Sequence, residues 1–330
     1  MDSDFATIRY KNQVAVISKK GGGIAQYYIE KDGEKKHFIY GYDSAESQGQ
    51  NSGMGDVLSP WPGRLGDQKY NWNGSEYDVT GGVPSVDDNN NALHGYVRNL
   101  KWDVKVLEEL GGGSATANVV LDEQKGYPFK LSYQIYYEMI ECGLNMHVKV
   151  TNIGDKDAPF GLGHHPYFTI DCADVDDLEL LIPSSTMVEF DSTKKPTGKL
   201  INVAEESKEY NFTTFKKIGD LVLDNCFTSC RPSVRERSVS GEKNYLFTSI
   251  RLKDKVVSMS QDLGKYPYIQ VYTFDGSKKG HKRKAIALEP MTCCGFAFNE
   301  PDLGLINLKP GEEFDAEWGI SVHSSDDGLY

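Results

Sequence analysis

Two stretches of this 330-residue chain carry the residue types that proton transfer requires. In Gly161-Leu162-Gly163-His164-His165-Pro166-Tyr167-Phe168 stands the only adjacent pair among the seven histidines. An imidazole gives or takes a proton near neutral pH. Pro166 holds His165 extended and cannot donate to a sheet ladder. The second stretch, Ile286-Ala287-Leu288-Glu289-Pro290-Met291-Thr292, sets one carboxylate in an otherwise apolar strand. Burying it is costly unless it is paired, and its pKa tends upward, so Glu289 is the general-base candidate. A plainer reading stands beside each. The histidines suit a strand end with one ring solvated and one bonded, and Glu289 suits a structural salt bridge to an arginine.

Three further stretches place polar residues where strands meet turns. They are Pro60-Trp61-Pro62-Gly63-Arg64-Leu65, Asn91-Ala92-Leu93-His94-Gly95 and Leu223-Asp224-Asn225-Cys226-Phe227. Their candidates are Arg64, His94 and Asp224. By residue type alone, His94, His164, His165 and Glu289 also make a metal-ligand set. Neighbouring residues on an extended chain point to opposite faces, so His164 and His165 can hardly share one ion. The six cysteines are scattered without a Cys-x-x-Cys and read as reduced, mostly buried thiols.

The elements that must hold these groups read as β almost throughout. From Phe129 to Met139 large apolar residues alternate with mainly polar ones, and Leu144 to Val150 does the same after Glu141-Cys142-Gly143. That period of two predicts a hairpin of half-buried strands, with His147 solvated on its polar face. Asn73-Gly74 and Asp32-Gly33 predict two more hairpins. The triple glycines at 21–23 and 111–113 read as turns, and the tracts Ser44–Gly55 and Pro84–Asn91 as loops. So does the basic cluster 278–284, for which phosphate binding is the lesser reading. With long helical periodicity nearly absent, the expectation is an all-β antiparallel sandwich or barrel, residues 1–330 forming a single domain.

The net charge of −12 argues against nucleic acid and against anionic membranes as partners. No run approaches the apolar length of a membrane-spanning helix. The acidic start, Met1-Asp2-Ser3-Asp4-Phe5, has no apolar signal core, and the expected location is cytoplasmic.

Taken in order, Pro62-Gly63-Arg64-Leu65, Asn91-Ala92-Leu93-His94-Gly95, Gly163-His164-His165-Pro166-Tyr167-Phe168, Leu223-Asp224-Asn225, Gln270-Val271-Tyr272-Thr273, Leu288-Glu289-Pro290-Met291-Thr292 and Leu308-Lys309-Pro310-Gly311-Glu312 resemble the aldose 1-epimerase (galactose mutarotase) family. The resemblance runs from about Gly21 to the end of the chain. It implies a large antiparallel β-sandwich, the galactose mutarotase-like supersandwich, with an open sugar cleft. It also implies Glu289 as general base, His165 as general acid, and Arg64, His94 and Asp224 as groups that bind a monosaccharide, with no metal or other cofactor. Two positions depart from the family pattern: Gly63-Arg64-Leu65 replaces the usual Asn-Arg-Ile, and Gly163-His164-His165-Pro166 replaces Thr-x-His-Pro.

Anomer interconversion explains these residue types on its own terms. One group takes the C1 hydroxyl proton while another protonates the ring oxygen, each with a pKa poised near neutrality. The pH profile is expected to be bell-shaped, with the acid limb from Glu289 and the alkaline limb from His165. Trp61 or Tyr167 is available to stack on a sugar face. A non-catalytic sugar-binding protein of the same fold is one alternative. An epimerase for a phosphorylated hexose, using Arg98 and the 278–284 cluster, is another.

Overall fold

The computed structural model describes residues 4–42, 53–238, 241–276 and 282–324. Residues 44–52 of the first polar tract and 278–281 of the basic cluster lie outside the described residues.

The predicted hairpins form. Leu131–Ile140 pairs with Gly143–Asn152 from Leu131↔Asn152 to Ile140↔Gly143. Its odd-numbered residues Leu131, Tyr133, Ile135, Tyr137 and Met139 are buried in the core. Lys69–Trp72 and Ser75–Asp78 are joined at Asn73 and Gly74, with φ of 47° and 79°. Ile24–Lys31 and Glu34–Ile39 are joined at Asp32 and Gly33, with φ of 53° and 80°. Both turns place two residues at positive φ, the twist that matches flanking strands.

These strands assemble into two large antiparallel sheets. One runs in the order Phe5–Tyr10, Gln13–Ser18, Ile24–Lys31, Glu34–Ile39, Tyr167–Phe168, Ile286–Met291, Tyr268–Tyr272, Asp224–Thr228, Thr186–Phe190, Pro196–Asn202, with Gly163–His164 and Val57–Leu58 attached at its centre. The other is built around Ser114–Leu121, Leu131–Ile140, Gly143–Asn152, Glu313–Ser324, Lys255–Asp262 and Gly241–Leu252. Their inner faces share one apolar core, in which Ile269, Val271, Ile286 and Leu288 join Tyr133, Ile135, Met146 and Trp318. The helical pieces are 3-10 turns of three residues. No helix among the described residues is long and apolar enough to cross a membrane.

His147 is exposed on the polar face, as expected. Its Nδ1 also sits 3.1 Å from Glu317 Oε2, and that hydrogen bond raises its pKa. A carboxylate on the adjacent strand supplies the partner that the hairpin alone does not contain.

Candidate active site

The period of two sorts the central strand Ile286–Met291. Ile286 and Leu288 face the core, while Glu289 and Met291 line a cleft of about 270 Å³ on the opposite face of the sheet. The strand is wholly buried, and it is flanked by Tyr268–Tyr272 on one side and by Gly163–His164 and Tyr167–Phe168 on the other. Pro166 and Pro290 both lack an N–H, and the flanking strand is interrupted between His164 and Tyr167. His165 takes its main-chain partners elsewhere. Its N–H donates to Asp56 O at 3.1 Å, and its carbonyl accepts from Gly55 N at 2.9 Å. The gap sets the His165 ring beside Glu289, with Nε2 3.4 Å from Oε1 and side-chain exposures of only 7% and 3%.

Alternation also separates the two histidines. His165 lines the cleft and stacks on Tyr167 with ring centroids 4.9 Å apart. His164 turns into the sandwich, 4.9 Å from the Trp318 ring, with Nε2 3.3 Å from the Tyr266 hydroxyl. Among the described residues no three His, Cys, Asp or Glu side chains are grouped to hold a metal ion.

His94 enters from the loop after Ala92–Leu93 with φ 61°, a left-handed conformation uncommon outside glycine. Its ring stands edge-on to His165 at 5.5 Å. The Gly63 N–H donates to its Nδ1 at 3.2 Å. A neutral ring therefore carries its proton on Nε2. Gly63 is itself at φ 64°, and a Cβ there would lie 3.0 Å from the Gly295 Cα. The missing amide beside Arg64 thus coincides with a close backbone approach at the cleft wall.

Arg64 Nε lies 2.9 Å from Asp87 Oδ2, and its Nη2 lies 3.9 Å from Asp224 Oδ2. Asp224 opens the strand Asp224–Thr228; Gln270 Nε2 donates to its Oδ1 at 2.7 Å. The Lys194 ammonium, from the turn after Thr186–Phe190, reaches Asp224 Oδ2 at 2.8 Å. All five residues singled out in the sequence, Arg64, His94, His165, Asp224 and Glu289, therefore line one cleft. Lys194 and Phe296 line it too, without a signal in the sequence that would have found them, and so does Tyr272. Gln270 and Tyr272 carried a weak signal, as parts of one family motif.

Two other expectations fail on burial. Trp61 is 2% exposed and wedged edge-on between Tyr96 and Phe298, so it offers no face to a ligand. Arg98 is buried with its Nε 3.3 Å from Asp56 Oδ2, so its charge is already engaged beneath the cleft. Of the 278–284 cluster, Arg283 is bound to Asp176 and Asp275, and Lys284 to Asp174.

Burial dominates the electrostatics. It pushes the Glu289 carboxyl well above its ordinary range, helped by the Asp224 charge and opposed by Arg64. It pushes His165 down to about 3, with the Arg98 charge acting in the same direction. His94 is also driven down, by burial and by Arg98, His165 and Arg64. With His165 lowered and Glu289 raised, the carboxyl holds a proton more tightly than the imidazole beside it. That order is the opposite of the one residue type alone suggests for a carboxyl and an imidazole.

The sequence model of a family described as Aldose 1-epimerase matches residues 5–321. The uncharacterized protein YihR of Escherichia coli (strain K12) is 31% identical over 262 residues, covering 78% of this chain and 76% of its own. Galactose mutarotase of Homo sapiens is 23% identical over 304 residues, covering 87% of this chain and 84% of its own. Among solved structures, the GalM/aldose epimerase homologue from C. elegans superposes with a TM-score of 0.80 at 20% identity, over 97% of this chain and 98% of that one. Galactose 1-epimerase from Lactobacillus acidophilus NCFM does so with a TM-score of 0.76 at 16% identity, over 97% and 94%. At such identities the structures speak for the fold, and the match over residues 5–321 speaks for the family: this chain belongs to the aldose 1-epimerases.

Proposed function

We propose that this isomerase interconverts the α and β anomers of a free aldohexose such as galactose or glucose, with Glu289 and His165 as its acid–base pair. The observation that carries this is the 3.4 Å approach of His165 Nε2 to Glu289 Oε1 at the buried end of a cleft lined by Arg64, His94 and Asp224. Two groups that must exchange one proton are thereby held together, out of bulk water.

In the reactive state the shared proton sits on His165. Glu289 as carboxylate takes the proton of the C1 hydroxyl, and the C1–O1 bond becomes a carbonyl. The electron pair of the C1–O5 bond goes to O5, which takes the Nε2 proton of His165. Rotation about C1–C2 exposes the other carbonyl face. Reclosure runs the transfers backward: O5 attacks C1, His165 recovers the O5 proton, and Glu289 returns its proton to O1. While the sugar is open, the pair is Glu289–COOH with neutral His165, the form that burial favours. Protein electrostatics thus offset part of the ring-opening cost. Such positioned acid–base groups typically contribute ~10²–10⁴ in rate.

A neutral sugar suits the cleft better than a phosphorylated one. Both cations lining it, Arg64 and Lys194, face carboxylates already, namely Asp87 and Asp224. The described cysteines are free thiols, which agrees with a cytoplasmic location. Polarimetry of freshly dissolved α-D-glucose and α-D-galactose tests the reading. Acceleration by the wild type that is lost in Glu289→Gln supports it, and no acceleration of either sugar returns the chain to a sugar-binding role.

A further inference from the structure

The His165 ring lacks the hydrogen bond that usually orients a proton-transferring imidazole. Its Nδ1 is buried and bonds no other described residue. Ordinarily the bond made by one ring nitrogen fixes the tautomer and so the role of the other. Here packing must hold the ring. Tyr167 stacks on it at 4.9 Å, and His94 stands edge-on at 5.5 Å. The turn Gly53–Asp56 closes over it, so near that a Cβ on Gly53 would lie 3.1 Å from His165 Cδ2. That turn also takes both main-chain groups of His165, at Asp56 O and Gly55 N.

One ion pair joins the turn to the His94 loop. Directly after Asp56, Val57–Leu58 pairs with Gly163–His164. The His94 loop lies against the next residue, Ser59, whose carbonyl accepts from Tyr96 N at 2.8 Å and Val97 N at 3.2 Å. Four residues after His94, Arg98 reaches back to Asp56, Nε to Oδ2 at 3.3 Å, with side-chain exposures of 8% and 6%. Neither side chain lines the cleft. Stability is a poor account of such a pair, since replacing both partners of a buried ion pair by uncharged residues is often neutral or stabilising.

The pair also brings a charge. The groups facing His165 are Glu289 at 3.4 Å, the His94 and Tyr167 rings, and Asp224 across the cleft. Asp224 raises the pKa of His165, whereas Arg98 lowers it, and Arg98 lowers His94 as well. A protonated ring with a lower pKa is the stronger donor to O5.

We propose that the buried Arg98–Asp56 ion pair is a positioning device for the reaction, holding the His94 loop and the Gly53–Asp56 turn together around the His165 ring. It rests on the anomer-interconverting reading of the cleft. The test compares the wild type with Arg98→Lys, which keeps the charge, and with the double variant Asp56→Asn/Arg98→Met, which removes both charges and leaves neither buried alone. Polarimetry on α-D-glucose gives kcat, KM and the pH profile, and NMR titration of the histidines without sugar follows the His165 ring. The double variant should fold and lose roughly 10² in kcat, as for a reacting group displaced by about 1 Å. Its KM should not move, its acid limb should shift to higher pH with the His165 titration, and Arg98→Lys should recover most of the loss. Wild-type kcat and acid limb in the double variant overturn the proposal. So do a loss confined to KM, an Arg98→Lys enzyme as slow as the double variant, or a double variant that unfolds, which would make the pair a stabilising element. If the wild type accelerates no sugar, the reading of the cleft falls by itself. The sugar-free titration still decides the pair's hold on the ring, and a His165 titration identical in both proteins overturns it.

Discussion

Exchanging each of the adjacent histidines for asparagine should give opposite phenotypes, one kinetic and one thermodynamic. His164 is 4% exposed between Trp318 and Tyr266, and burial holds its pKa down to about 3 against an ordinary 6.5. The unfolded chain binds that proton more readily than the folded one. The ring's contribution to stability is therefore complete above pH 6.5 and is lost as pH falls toward 3. At about 1.4 kcal/mol per pH unit, acidifying from about pH 6.5 to about pH 4 costs roughly 3 kcal/mol through this ring. His164→Asn removes that dependence and also deletes buried ring contacts, which lowers stability at neutral pH by roughly 2 kcal/mol. The variant should then keep near-wild-type turnover, be weaker at pH 7 and lose about 3 kcal/mol less on acidification. His165→Asn should instead lower turnover by ~10²–10⁴, because an amide cannot shuttle the ring-oxygen proton. Urea unfolding followed by tryptophan fluorescence at both pH values, with polarimetry at pH 7, measures both effects. A dead His164→Asn beside an active His165→Asn would refute the facing of the two rings. A His164→Asn protein with the wild type's full acid sensitivity would refute the burial argument.

The pH profile of kcat/KM should be bell-shaped with its limbs reversed from the ordinary order, the acid limb following His165 and the alkaline limb Glu289. An NMR titration placing the His165 imidazole above the Glu289 carboxyl would contradict it. Glu289→Gln should flatten the loss of stability that sets in as pH rises above the ordinary carboxylate value of 4.5. A carboxyl raised in the fold contributes fully below its unfolded pKa and loses that contribution as pH climbs to the folded value; parallel wild-type and variant unfolding curves would argue against it. Arg64→Ala and Asp224→Ala should each raise KM roughly tenfold and lower kcat, since misplaced hydroxyls spoil the geometry at C1. Steady-state constants that do not move would remove both residues from the site.

Some of this was determined by the sequence alone. The period of two is local, so the opposite facing of His164 and His165, and of Glu289 against Leu288, follows from backbone geometry once the segment is extended. Turn chemistry is equally local, and Asn73-Gly74 and Asp32-Gly33 form the hairpins they announce. The ordered motifs identify the family because each is a short string whose order along the chain can be read directly. Tertiary structure decided what depends on residues far apart meeting. Lys194 belongs to an unremarked polar turn until that turn folds over Asp224, thirty positions on. Arg98 looks like a free cation beside the His94 loop, yet Asp56 takes it into the interior. Trp61 offers a stacking surface on paper, but Tyr96 and Phe298 enclose it. The order in which His165 and Glu289 hold a proton belongs with these. Residue type favours the histidine, whereas burial raises the Glu289 carboxyl and lowers the His165 ring, and desolvation is a property of the packed sandwich that no single segment contains.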